Sequence, residues 1–293
     1  MNAKRFRGTG VALVTPFDSE GKIDFESLRK LIEHVIAGGV EFLVALGTTA
    51  ETPTLSEEEK KEVLRFVAEV NQKRLPLVCG IGGNNTREVL NQFKNYPLDD
   101  VDAILSVSPY YNKPTQQGIY AHFKLLNEHA PKPIILYNVP GRTGSNMGSE
   151  LTIRLAHECE QIIGIKEACG QMGQSMELVK NCPADFTILS GDDDLTMAQI
   201  ACGFDGVISV AANCFTRTFT DMVRLSLNQQ FAEARKLQYQ LLDGIALLFA
   251  EGNPAGVKAF LNKKGICQNQ FRLPVVPVSE KTAQSIHAFP DLA

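Results

Sequence analysis

Residues 206–210 read GVISV. The run is short, β-branched and free of polar alternation, the pattern of a strand buried on both faces. Working back from it, seven similar runs precede it: GVALVTP (10–16), FLVAL (42–46), LPLVCGI (75–81), DAILSVSP (102–109), PIILYN (133–138), IIGIK (162–166) and FTILSG (186–191). Amphipathic stretches separate them. Phe25, Leu28, Leu31, Ile32, Val35 and Ile36 recur at helical spacing in 24–38. Ser56 and Glu59 form an S-x-x-E capping signal before Val63, Phe66, Val67 and Val70. Ile119, Tyr120, Phe123 and Leu126 repeat the pattern in 115–129. Strands alternating with helices predict a parallel sheet joined by crossovers. GVISV is the eighth strand, and only helical patterns follow it. Eight units spaced by about 28 residues predict a closed (β/α)8 barrel rather than an open doubly wound sheet.

Beyond residue 225 the pattern changes. Phe231, Ala234, Leu237, Leu241, Ile245 and Leu248 mark a long helix, GNPAGVKAFL (252–261) opens another, and LPVVPVSE (273–280) connects to a last short one. The expected organisation is a barrel over 1–225 with a C-terminal helical extension over 226–293.

The chain has 293 residues, 44% hydrophobic and 21% charged, with a formal net charge of −4. That is ordinary globular composition. No basic stripe suited to a nucleic-acid backbone is present. No run approaches roughly 18 apolar residues, so no membrane span is expected. MNAKRFRGTG leads into no apolar segment of signal-peptide length. The seven cysteines are odd in number and contain no C-x-x-C, which fits reduced thiols and a cytoplasmic location. The five histidines show no zinc-type spacing, so no metal is assigned.

In such a barrel, chemistry sits where strands end. Strand 2 ends at GTTAET (47–52), strand 4 at SPYYNKP (108–114), strand 5 at YNVPGRTG (137–144), strand 6 at Lys166 and strand 7 at GDDD (191–194). Lys166 closes a greasy run. Flanking Ile162, Ile163 and Ile165 should desolvate it and favour the free amine, which attacks carbonyls. The competing reading pairs it with Glu167 or an acidic loop. Tyr137 ends the neighbouring strand and could relay protons. Thr48 and Thr49 both donate and accept. Arg142 on a glycine-punctuated loop suits a carboxylate. Tyr110 and Tyr111 are adjacent, so one of them points away, across a subunit contact for instance. GIGGNN (80–85) lacks the full phosphate-loop spacing. GDDD fits N-terminal capping charge better than a metal site.

These pieces, with GIKEA (164–168) and SGDD (190–193), resemble the dihydrodipicolinate synthase family over nearly the whole chain, in order and at strand ends. The resemblance implies a lyase without a cofactor. Lys166 would form a Schiff base with pyruvate, and Tyr137, Thr49 and Tyr111 would relay protons, Tyr111 reaching into a neighbouring subunit's site. Thr48 and Thr49 would contact the pyruvate carboxylate, Arg142 would receive aspartate semialdehyde, and the backbone at Gly191 and Ile208 would line the site. Enamine addition to the aldehyde, then transimination, would close the ring, within lysine and diaminopimelate biosynthesis. A homotetramer built from tight dimers is the implied assembly. The related alternative is a pyruvate lyase acting on a sugar acid, of N-acetylneuraminate or keto-deoxy-gluconate type, but YNVPGRT favours the synthase. A barrel that merely senses a small carboxylate would not need the lysine. Family members inhibited by lysine bind it at the dimer contact. The matching positions are Thr52, Pro53, Glu57, Lys60, Asn84, Glu88 and Tyr110, of which Glu57 and Lys60 depart from the sensitive pattern.

Overall fold

The computed structural model describes residues 3–292. Eight strands, β1 (Gly8–Ala12), β2 (Phe42–Ala45), β3 (Leu77–Gly80), β4 (Ala103–Val107), β5 (Ile134–Asn138), β6 (Ile162–Glu167), β7 (Thr187–Ser190) and β8 (Gly206–Ser209), close into one barrel in chain order. Every pairing is parallel, and Thr9 of β1 lies beside Val207 of β8 at the seam. The first strand differs from its sequence reading. It starts at Gly8 and stops at Ala12, because Leu13 makes the last ladder bond, to the Val44 carbonyl at 3.0 Å. Thr15 instead turns its hydroxyl onto the Ala50 carbonyl at the mouth, at 2.8 Å.

The barrel interior is a packed layer of Ala12, Phe42, Val44, Val78, Leu105, Ile135, Tyr137, Leu189 and Ile208. Space is tight there. A Cβ on Gly10 would come within 2.1 Å of the Phe42 ring, so a side chain at 10 would displace it. Phe6 closes the floor edge-on to Phe42, with centroids 5.5 Å apart.

Outside the strands pack α1 (Phe25–Gly38), α2 (Glu57–Asn71), α3 (Thr86–Asn95), α4 (Gln116–His129), the one-turn α5 (Pro140–Thr143), α6 (Ser149–Glu158), α7 (Met172–Asn181), α8 (Thr196–Ala201) and α9 (Thr216–Leu227). Their apolar stripes face the sheet, as with Leu28, Leu31, Ile32 and Val35 of α1. Side-chain oxygens start several of them. Asp24 accepts from Ser27 N at 3.0 Å, and Ser56 and Glu59 satisfy each other's backbone N–H in a complete capping box.

The extension consists of α10 (Phe231–Phe249), α11 (Ala255–Lys263) and α12 (Glu280–Ala288). Phe215, at the start of α9, packs edge-on against Phe260 of α11 at 4.9 Å and against Phe289 at 5.5 Å. The extension thereby docks beside the β8 end of the barrel and brings residues 242–253 over its mouth.

Candidate functional site

Tyr137 and Lys166 are register partners on adjacent strands, so both point into the barrel near its mouth. The Lys166 Nζ lies 4.5 Å from the Tyr137 ring centroid, and the two residues are 5% and 6% exposed. Their successors, Asn138 and Glu167, are also register partners and occupy the opposite face. There the Asn138 amide donates to Glu167 Oε1 at 2.9 Å, Gln174 donates to Oε2 at 2.9 Å, and Cys169 N donates to Oε1 at 2.9 Å. Strand alternation therefore separates Lys166 from Glu167. Among the described residues no carboxylate lies within ion-pairing distance of Lys166, which removes the reading that pairs it with Glu167. Of the three desolvating neighbours read from the sequence, Ile163 packs against the barrel interior, and the other two do not. Ile162 and Ile165 belong to the layer between barrel and helices. Lys166 is instead covered by cross-strand Tyr137 and Leu189.

Gly191, just past β7, sits against the lysine. A Cβ there would meet the Ala168 Cβ at 2.6 Å and the Lys166 Cε at 3.0 Å. Any larger residue would push the lysine aside. Cys169 is the nearest thiol in sequence. Burial, reinforced by Glu167, pushes it up to about 12, so it stays a thiol and does not compete as a nucleophile.

After β2, Thr48 and Thr49 form a single 3-10 turn, with Thr49 buried. The Thr49 hydroxyl accepts a 3.0 Å bond from the Asn253 amide in the extension. This leaves the hydroxyl proton for another acceptor. The next residue but one, Glu51, has left-handed backbone (φ 53°) and a buried carboxylate held by Lys258 of α11. Both ties cross from the extension to the β2 loop. Sequence reasoning missed Asn253, Glu51 and Lys258, because partners some 200 residues apart leave no local spacing to read.

After β5, Arg142 is exposed and sits on the one-turn α5 rather than on an open loop. A cavity of about 700 Å³ is lined by Thr48, Thr49, Tyr137, Arg142, Lys166, Gly191, Asp192 and Asn253. It thus gathers six of the expected residues. Ile208 lies beneath it, fully buried in the barrel interior.

The aspartates of GDDD do not cap α8, whose N-terminus has no side-chain cap. Asp193 is buried and accepts from Val210 N at 3.1 Å and Ala211 N at 2.9 Å, tying the β7 loop to the end of β8. Burial raises its pKa despite those bonds. No group of three or more His, Cys, Asp or Glu that could hold a metal ion occurs among the described residues.

Tyr111 stands apart. Its backbone is left-handed (φ 72°), its side chain is 89% exposed, and it does not line the cavity that holds Lys166. A second lobe of about 510 Å³ adjoins the first through Thr48, Tyr137 and Arg142. It is lined by Thr52, Pro53, Lys60, Asn84, Glu88 and Tyr110, six of the seven positions matched to the effector site. The seventh, Glu57, is paired with Lys60 at 2.7 Å and accepts from the Tyr96 hydroxyl at 3.0 Å.

With this geometry in hand, the relatives can be placed. The model of the dihydrodipicolinate synthetase family matches residues 5–290. The 4-hydroxy-tetrahydrodipicolinate synthase of Flavobacterium psychrophilum is 49% identical over 284 residues, covering 97% of each chain. The crystal structure of the Thermotoga maritima dihydrodipicolinate synthase superposes with a TM-score of 0.95 at 37% identity, again over 97% of each chain. A chloride-inhibited dihydrodipicolinate synthase of Acinetobacter baumannii, complexed with pyruvate, superposes at 0.94, with 37% identity and 97% of each chain.

Proposed function

The chain belongs to the dihydrodipicolinate synthetase family, and from that premise we propose that Lys166 carries its reaction as a Schiff base with pyruvate. The activity is that of a 4-hydroxy-tetrahydrodipicolinate synthase, a lyase of the Schiff-base aldolase type in lysine and diaminopimelate biosynthesis. Its substrates are pyruvate and aspartate semialdehyde. One observation supports Lys166 above all: a lysine 5% exposed, beside Tyr137, in no ion pair among the described residues. A lysine held in the cavity without an ion pair is free to attack a keto carbon as the amine.

In this reading Tyr137 and Thr49 move protons to and from the adduct, first as the carbinolamine dehydrates and then as the pyruvyl methyl group loses a proton to give the enamine. Thr48 and Thr49 hold the pyruvate carboxylate, with the backbone at Gly191 and Ile208 shaping the pocket. Arg142 takes the carboxylate of the semialdehyde. The high exposure and left-handed backbone of Tyr111 suit a side chain offered to a second subunit's relay, so the assembly we propose is a homotetramer made of dimers. The second lobe is our candidate effector subsite, and the Glu57–Lys60 pair at its edge sets the local charge. Residues 226–293 serve the 1–225 barrel as a clamp on its β2 loop. Among the described residues no helix is long and apolar enough to cross a membrane, and we place the protein in the cytoplasm.

Borohydride reduction in the presence of pyruvate, followed by peptide mass mapping, tests the central assignment. The expected result is one reduced pyruvyl adduct, on the peptide containing residues 162–168, and none in a Lys166→Arg variant. An adduct elsewhere, or turnover by that variant, would overturn it.

A further inference from the structure

The three aspartates that follow Gly191 have different fates. Asp193 is buried and pinned through Oδ2 by two backbone N–H groups of the β8 end. Asp194 is exposed at the rim. Asp192 has a fixed backbone: its N–H donates to the Ser190 hydroxyl at 3.1 Å, and its carbonyl accepts from Ser190 at 3.0 Å and Thr196 at 2.9 Å. Its carboxylate, in contrast, makes no hydrogen bond or ion pair among the described residues, and Oδ2 is buried without a partner. Leaving a carboxylate unpaired in a half-buried setting is costly, and native structures rarely do so without cause. Burial, with Asp194 adding like charge, raises its pKa to about 6, while Lys166 opposes the rise and Glu167 and Asp193 add to it. The facing part of α10 contributes Leu242, Ile245, Ala246 and Phe249, none of them charged, and Arg142 faces the same cavity from α5.

That unmet demand fits the second substrate. Aspartate semialdehyde carries a carboxylate, an ammonium on the adjacent carbon, and an aldehyde two carbons further on. Arg142 accounts for the carboxylate, but no residue so far accounts for the ammonium. In the lobe that holds Lys166 the acidic side chains are Asp192, Asp193 and Asp194; Asp193 has an unpartnered Oδ1 but is pinned through Oδ2, and Asp192 is the unexposed one whose carboxylate makes no hydrogen bond among the described residues.

We propose that Asp192 receives the ammonium of aspartate semialdehyde and accepts its proton when that nitrogen attacks the Lys166 imine. This rests on the Schiff-base reading above. The step balances without an oxidant or a further reactant. One proton passes from the ammonium to the Asp192 carboxylate. The freed lone pair forms a C–N bond to the imine carbon, and the C=N π pair moves onto Nζ. A proton then shifts from the substrate nitrogen to Nζ. The C–Nζ bond breaks as the substrate nitrogen passes its last proton to Nζ and forms the ring C=N, releasing Lys166 as the amine.

The experiment pairs Asp192→Asn and Asp192→Glu with two aldehydes, aspartate semialdehyde and its analogue 4-oxobutanoate, which lacks the amine. Pyruvate trapping by borohydride should proceed in Asp192→Asn as in the unaltered enzyme. Its kcat/KM for the semialdehyde should fall about 10- to 100-fold, the worth of a hydrogen bond to a charged group. Consumption of 4-oxobutanoate should be unchanged, and Asp192→Glu should recover part of the loss. Undiminished use of the semialdehyde by Asp192→Asn would overturn the proposal. So would an equal loss with both aldehydes, or a loss of pyruvate trapping, each of which would mark a structural role. Absence of trapping in the unaltered enzyme would instead strike the Schiff-base reading itself.

Discussion

Lys258 and Lys166 are both buried, at 0% and 5% exposure; the first anchors the β2 loop through Glu51 and the second lines the cavity. Lys258 is paired in full. Its Nζ bonds to Glu51 and to the Gln270 carbonyl at 2.9 Å, and sits 4.2 Å from the Phe17 ring centroid and 4.9 Å from that of Phe271. Desolvation lowers its pKa, and Glu51 opposes that fall. Lys166 has an aromatic face and no ion pair among the described residues. A buried ammonium that the fold means to keep charged is given a counter-charge. One that is given no ion pair, with Asp192 and Asp193 acting on it only across the cavity, is kept for its chemistry.

That contrast can be broken most directly by replacing each lysine with Met. Lys166→Met should reduce turnover to background while leaving the urea unfolding midpoint unchanged or higher, since the lysine makes no ion pair to lose. Lys258→Met should do the reverse. It strands the Glu51 carboxylate inside the protein, a loss of about 3–5 kcal/mol. Adding Glu51→Leu should recover most of that stability, because an apolar pair can replace a buried ion pair at little cost. Equal destabilisation by both lysine substitutions would remove the distinction.

The barrel side of this contrast was legible in the sequence, and the clamp side was not. Val-, Ile- and Leu-rich runs report strands buried on both faces, and GVISV closed the count at eight, because local pattern carries that information. The cluster of Lys166, Tyr137, Thr48, Thr49, Arg142 and Gly191 was equally readable, since each ends a strand and a barrel gathers strand ends. The reason given for the burial of Lys166 held for Ile163, which packs against the barrel interior, and failed for Ile162 and Ile165. Neighbours in sequence alternate between faces, so Ile165 points to the outer layer, and the cover comes from β5 and β7. GDDD was read as a helix cap, yet Asp193 reaches backbone 17 residues away. The Glu51–Lys258 and Thr49–Asn253 contacts span 207 and 204 residues, and no periodicity connects such positions.

The Thr49–Asn253 bond is where clamp and site meet, and it sharpens the comparison at a smaller scale. Asn253 donates through Nδ2 to the Thr49 hydroxyl, so the hydroxyl presents its own proton to the cavity. Asn253→Ala should free the rotor and lower kcat about tenfold, the worth of one hydrogen bond, with little change in KM for pyruvate. Asn253→Asp should be worse than Ala. A carboxylate would accept the Thr49 proton and turn the hydroxyl away from its task. If Asp were the milder substitution, the assigned polarity would be wrong.

The smallest effect is one of pH, and it runs in opposite directions in the two regions. In the clamp, Arg272 grips Glu59 with two bonds of 2.8 and 2.6 Å and holds its carboxyl down at about 2, against an ordinary 4.5. A lowered carboxyl pKa stabilises the fold above about 4.5, and that contribution is lost as pH falls from there towards 2. The side chains are 28% and 21% exposed, so screening reduces the gain to about 1 kcal/mol. At the site, Asp192 is raised from 3.8 to about 6. Its contribution is present below 3.8 and is lost as pH rises through 6, because the folded protein must then hold an unpaired charge. Urea midpoints measured across pH should therefore show Glu59→Gln flattening the acid fall between pH 4.5 and 2. Asp192→Asn should gain on the unaltered protein as pH rises from 3.8 to about 6, and hold that gain above it. The clamp tightens on ionisation and the site loosens, as expected if one region was built to hold charge and the other to hand it to a substrate.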